Sequence, residues 1–150
     1  MKNKRQRDYM KYWRVIRYFV KRKYKLNTEA LDMLFFLYSE NYFSADKFKE
    51  FEALLGCNKM RFYKLRREGW IQKFKNAIPN KSKAIYCLSF KCTKMLDSVY
   101  NKLDGGPIPM AQSKNPIFLA QAGYSDKVYR KMIEKMNLAI RQEQCHSLEL

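Results

Sequence analysis

Apolar residues recur every three or four positions along most of this 150-residue chain, and that spacing predicts a largely helical protein. From Asp8 to Leu26 the positions Met10, Trp13, Ile16 or Val15, Phe19 or Val20 and Tyr24 make one apolar stripe, preceded by a basic leader, Met1 to Arg7, expected to be mobile. Asn27 or Thr28 can cap a second helix. Glu29 and Asp32 stand in its first turn, and Leu31, Leu34, Phe35 and Tyr38 form its buried face. A short linker, Asn41 to Phe43, leads to Ser44, the expected N-cap of a third helix that carries Asp46 in its first turn. Phe48, Phe51, Leu54 and Leu55 should point inward there, and Gly56 should end the helix. Asn58 can cap a fourth, which places Phe62 and Leu65 inward and stops at Gly69.

The rhythm then changes. Trp70 to Phe74 and Lys83 to Ser89 are rich in aromatic and β-branched residues, and Asn76, Pro79, Asn80 and Ser82 between them favour a loop, so the segment predicts a β-hairpin. Ser89 caps a fifth helix with a stripe of Cys92, Met95, Leu96, Val99 and Leu103, which the run from Asp104 to Pro109 stops. A linker follows, with Pro116 to Leu119 as an apolar patch that docks on the body. A last helix opens at Ser125 and Asp126. Its stripe is Val128 or Tyr129, Met132, Met136 and Ala139 or Ile140, and Gln142 to Leu150 should fray. The expected organisation is one domain: an N-terminal helix at 8–26, a core at 27–104, a linker at 105–124 and a C-terminal helix at 125–144. The fold class is mainly α with a small β-hairpin, a winged helix-turn-helix core flanked by N- and C-terminal helices.

Charge adds a partner to this outline. With 31 Lys and Arg against 14 Asp and Glu, the net charge is +17, and an excess of that size suits a polyanion. It lies in two blocks. Residues 1–25 and residues 59–94 each hold eleven basic side chains and one acid, +10 apiece, whereas 26–58 come to −4 and 95–150 to +1. The outer face of the first helix carries Lys11, Arg14, Arg17, Lys21, Arg22 and Lys25, suited either to solvent or to phosphate.

Other classes find less support. The longest purely apolar run, Met33 to Tyr38, is far short of a membrane span, and no export signal is visible, so a cytoplasmic protein is expected, or one of the host cytoplasm or virion if viral. Cys57, Cys87, Cys92 and Cys145 contain no C-x-x-C pair and match no zinc framework, which leaves free buried thiols and no metal. No metalloprotease, phosphate-loop or nucleophile-elbow motif occurs, the single histidine, His146, lies near the C-terminus, and the acids Glu50 and Glu52 are expected to be solvated. No catalytic residue and no cofactor are expected.

The candidate DNA-binding residues are therefore Asn58, Lys59, Met60, Arg61, Tyr63, Lys64 and Arg67 on the fourth helix, and Lys73, Lys75, Lys81 and Lys83 on the hairpin. With Phe62 and Leu65 inward, Met60, Tyr63, Lys64 and Arg67 face outward with no acid among them. A basic helix braced by its predecessor can enter a major groove, and lysines on a wing can hold phosphates.

Residues 26–105 also resemble the winged-helix core of the multiple-antibiotic-resistance-regulator (MarR) family. LNTEALDMLFFL is similar to that family's second helix, LLGCNKMRFYKLRREGWI to its helix-turn-helix, and IYCLSFKCTKML to its returning wing strand and following helix. The resemblance implies a transcriptional regulator that binds double-stranded DNA as a homodimer through its N- and C-terminal helices. Two further readings stay open: a non-sequence-specific architectural DNA-binding protein of a virus or mobile element, which the two cationic blocks favour, and a protein-contact module whose charge serves acidic partners or RNA.

Overall fold

The computed structural model describes residues 9–56 and 61–149; the expected leader, Met1 to Arg7, lies outside them. Among the described residues the order is α1 (Tyr9–Tyr24), α2 (Thr28–Tyr38), β1 (Tyr42–Phe43), α3 (Ala45–Leu55), α4 (Arg61–Arg67), β2 (Ile71–Lys75), β3 (Ile85–Leu88), α5 (Phe90–Leu103) and α6 (Tyr124–Leu148), with one 3-10 turn at Pro116–Phe118. The protein is mainly helical, with a three-stranded antiparallel sheet in the order β1-β3-β2. The chain divides into two compact units. Leu26–Ser98 forms one, the segments on either side of it form the other, and α5 runs from the first into the second.

In the central unit, local chemistry sets the helix ends. Asn27 is the N-cap of α2, its Oδ1 accepting from the Ala30 N–H at 2.8 Å, and Ser44 caps α3 through the Lys47 N–H. Gly56 closes α3 at φ 65°, a left-handed conformation that costs glycine little. The core gathers Leu31, Met33, Leu34 and Leu37 of α2, Phe48 and Phe51 of α3, Phe62 and Leu65 of α4, Trp70, Ile71 and Tyr86 around the hairpin, and Cys92, Met95 and Leu96 of α5.

Two faces differ from expectation. The buried side of α2 is turned toward Ala30, Met33 and Leu37, leaving Phe35 and Tyr38 only half-buried. Six of the seven residues from Met33 to Ser39 are large and apolar or aromatic, so periodicity there does not fix the centre of the stripe. On α3 the helical spacing from Phe48 and Phe51 brings Glu52 inside and turns Leu54 out, 74 % exposed. Glu52 is therefore buried, not solvated.

The hairpin expected at Trp70 to Ser89 is present as β2 and β3, and a third strand joins it: Tyr42 pairs with Cys87 and Phe43 with Tyr86, where only a linker was expected. Helices α2, α3 and α4 precede the hairpin in chain order, as expected.

In the outer unit, α1 buries Val15, Ile16, Phe19 and Val20, while Met10, expected in the stripe, is 71 % exposed. Along α6 the buried positions are Asp126, Ile133, Met136, Asn137 and Ile140, so Val128 and Met132 face solvent instead of the core. The helix continues to Leu148, beyond the fraying expected from Gln142. The apolar patch Pro116 to Leu119 does dock, with Ile117 fully buried. Three side chains hold the segment between α5 and α6. Asn137 accepts from the Ile108 N–H (3.0 Å) and donates to its carbonyl (2.9 Å), Asn115 donates to the Pro109 carbonyl (2.7 Å), and Arg130 donates to the carbonyls of Ile117 and Leu119. Among the described residues, no helix is long and apolar enough to cross a membrane.

Candidate nucleic-acid interface

Helix α4 is amphipathic in the simplest way. Phe62 and Leu65, three residues apart, are buried, and the backbone then carries Tyr63, Lys64 and Arg67 outward as neighbours at helical spacings of three and four. Phe62 is fixed by rings on both sides: its centroid lies 4.9 Å from that of Phe48 and 4.9 Å from that of Tyr86, both edge-on. Arg66 lies over the Tyr86 ring, 4.9 Å from its centroid. Its charge therefore locks α4 to β3 instead of facing outward.

The C-terminal end of α4 is closed by Gly69 at φ 84°, with the Trp70 N–H bonded to the Leu65 carbonyl at 2.9 Å. Lys91, at the start of α5, completes it. Its ammonium donates to the Glu68 carbonyl (3.2 Å) and sits 4.0 Å from the Trp70 ring centroid, a cation where the helix dipole is negative. Sequence reasoning missed Lys91 and Arg66, because both act through residues far along the chain.

Tyr63 is 66 % exposed, and Lys64 and Arg67 are also exposed. An acid does reach this face, contrary to expectation: Glu68 lies 4.0 Å from the Lys64 ammonium, one helical turn on. Arg61 is largely buried and ion-paired with Glu29 of α2, and burial lowers its pKa from the ordinary arginine value. It anchors the helix. Asn58, Lys59 and Met60 lie outside the described residues.

The wing presents Lys73, Lys75 and Lys81 to solvent. Lys73 stands opposite Tyr86 and Lys75 opposite Ile85, with Phe74 as the extra residue of a bulge between them. At the tip Pro79 fixes one φ and Asn80 adopts φ 60°, a combination that lets the Lys81 N–H bond back to the Ile78 carbonyl at 3.0 Å. Lys83 is exposed but paired with Asp46 at the first turn of α3, and this pairing holds the Asp46 carboxyl below its usual range. Lys83 thus ties the wing to the body, and Asp46 answers its charge.

Between α3, α4 and β3 lies a cleft of about 180 Å³ lined by Phe48, Glu52, Phe62, Tyr63, Arg66 and Tyr86 among others. Among the described residues no three His, Cys, Asp or Glu side chains gather as metal ligands would. Cys92 is fully buried, and burial pushes its thiol up to about 12; Cys87 is only half-buried and Cys145 is exposed, against the burial expected of them, and all three are free thiols.

The arrangement brings together Tyr63, Lys64 and Arg67 on one helix face and Lys73, Lys75 and Lys81 on the hairpin of the same unit, and it sets Arg61 and Lys83 apart in ion pairs. No protein-family model, no curated protein and no solved structure matches this chain.

Proposed function

We propose that the central unit binds double-stranded DNA, with α4 in the major groove and the hairpin lysines on the flanking phosphates, in a transcriptional regulator of the MarR-like kind. The observation that supports this most directly is the outward face of α4 beside a hairpin without acids: from Gly69 to Leu96 the chain contains no Asp or Glu. Arg67 and Lys64 can read base edges or phosphates, and Tyr63 can pack on a thymine methyl group or a sugar. A homodimer through α1 and α6 would place two such helices on a two-fold site. Tyr124, Val128 and Met132, four residues apart and 83, 40 and 39 % exposed, supply an apolar stripe on α6 for it.

The second reading, an architectural DNA-coating protein, is favoured by the two blocks of +10. One experiment separates the two. Binding of the full chain to random duplex and to sites enriched by selection is titrated against salt. A regulator retains a preference of roughly 10³-fold or more for its site, whereas a coat protein binds both alike. Lys64→Glu with Arg67→Glu should abolish the preference, and unchanged duplex binding in that variant would overturn the assignment of α4.

A further inference from the structure

The sheet has an outer face that duplex binding by α4 does not use. Tyr42, Cys87 and Gln72 stand directly opposite one another across β1, β3 and β2, and so share that face. Above them the rings of Tyr42 and Phe74 meet with centroids 4.6 Å apart and planes 42° from parallel. These residues come from strands that are not neighbours. The bulge re-aims Phe74, and the small Cys87 side chain between the two strands leaves room for the rings to touch. Even so, Tyr42 remains 55 % exposed and Phe74 59 %. Lys73 and Lys75 flank Phe74 in sequence; the acids nearest Tyr42 along the chain are Glu40 and Asp46, the latter already paired with Lys83.

We propose that this ring pair is a stacking platform for unpaired bases of single-stranded DNA, with Lys75, opposite Ile85 and so on the same face as Cys87, taking an adjacent phosphate. An exposed aromatic pair offers a π-face to a third ring, and a base inside a duplex has both faces covered, so only an unpaired base can extend the stack. Lysines without neighbouring acids on the hairpin select a polyanion over an apolar peptide. The inference rests on the nucleic-acid reading of this unit and shares a hairpin lysine with it, but its two rings, Tyr42 and Phe74, take no part in the duplex assignment, so the two can fail separately.

The test compares the full chain with Tyr42→Leu/Phe74→Leu by fluorescence anisotropy on a labelled oligothymidine, an RNA oligomer of the same length and a duplex. Circular dichroism checks the fold, and Phe74→Leu alone, at the exposed bulge, serves if the double variant does not fold. The variant should lose about 5- to 150-fold in affinity for the single DNA strand and keep its duplex affinity within about twofold. Unchanged single-strand binding, a parallel loss on duplex, or tighter binding of the RNA would each overturn the proposal. If Lys64→Glu/Arg67→Glu leaves duplex binding intact while Phe74→Leu still weakens single-strand binding, the platform stands and the α4 assignment falls.

Discussion

Asp126 shows how much one side chain can organise in the outer unit. It lies in the first turn of α6, nearly fully buried, where its carboxylate accepts from the Tyr18 hydroxyl at 2.5 Å and from Arg22 at 3.2 and 2.8 Å. Burial alone would raise its pKa, but the hydrogen bonds from Tyr18 and Arg22 outweigh that and hold it below the ordinary 3.8. Tyr18 moves the other way. Burial and the bond to Asp126 push its hydroxyl up to about 12, and its ring stacks on Tyr129 with centroids 3.7 Å apart. The signs follow from linkage. The Asp126 contribution is complete above the unfolded carboxylate value and is lost as pH falls through the depressed folded one; the Tyr18 contribution is complete below 10 and is lost as pH rises toward about 12. Asp126→Asn should cost about 1–2 kcal/mol at neutral pH, at the modest end because Arg22 is half exposed. It should also flatten the acid limb of the stability profile. Urea titrations at pH 7 and pH 3 check both, and an acid limb unchanged in the variant would assign it to other carboxylates. Asp126 was legible in the sequence only as a first-turn acid. Its partners stand 104 and 108 positions away, and no local pattern names them.

At the scale of elements, the longer helices were legible because they repeat their apolar spacing over several turns, and Asn27, Ser44 and Ser89 cap α2, α3 and α5 while Gly56 ends α3. Where the expectation slipped, a competing principle explains it. β1 is two residues long, too short for any period, and becomes a strand only because Cys87 and Tyr86 pair with it. Met33, Leu37 and Phe35 are comparably apolar, so tertiary packing chose the buried face of α2. The segment between α5 and α6 shows one short apolar patch, Pro116 to Leu119, and is otherwise held by Asn115, Arg130 and Asn137, whose bonds to backbone form only once the chain is folded. Two substitutions probe these joints. Gly69→Ala meets no atom within 4 Å, so its cost is the left-handed backbone alone, about 1–2 kcal/mol, read as a fall in thermal midpoint with the spectrum of the folded state unchanged. Asn137→Leu leaves the buried N–H and carbonyl of Ile108 without the side chain that satisfies both. It should cost about 2–4 kcal/mol, and amide exchange should quicken at Ile108 while the helices stay protected.

For the whole molecule, the net charge of +17 acts on folding and on binding with opposite signs, and salt separates them. Like charges repel in the compact chain, and the candidate interface adds to the repulsion by holding Lys64, Arg67, Lys73, Lys75 and Lys81 exposed within one unit. Raising ionic strength from about 0.01 to about 1 M shortens the screening length from roughly 30 to roughly 3 Å, so the free protein should become more stable as salt is added. Binding to a polyanion runs the other way, because each phosphate neutralised releases a counterion that added salt opposes. Thermal unfolding with and without duplex DNA should therefore show two crossing trends: a rising midpoint for the protein alone, and a DNA-induced increment that shrinks toward zero. Reversing Lys73, Lys75 and Lys81 to Glu should raise the midpoint of the free protein at low salt. It should also reduce the salt slope of duplex binding by about three or more, roughly one for each phosphate that no longer meets a lysine. A slope unchanged by that triple reversal would place the phosphates on other cations, with α1 as the next surface to reverse, since Lys11, Arg14 and Lys23 are exposed there as well.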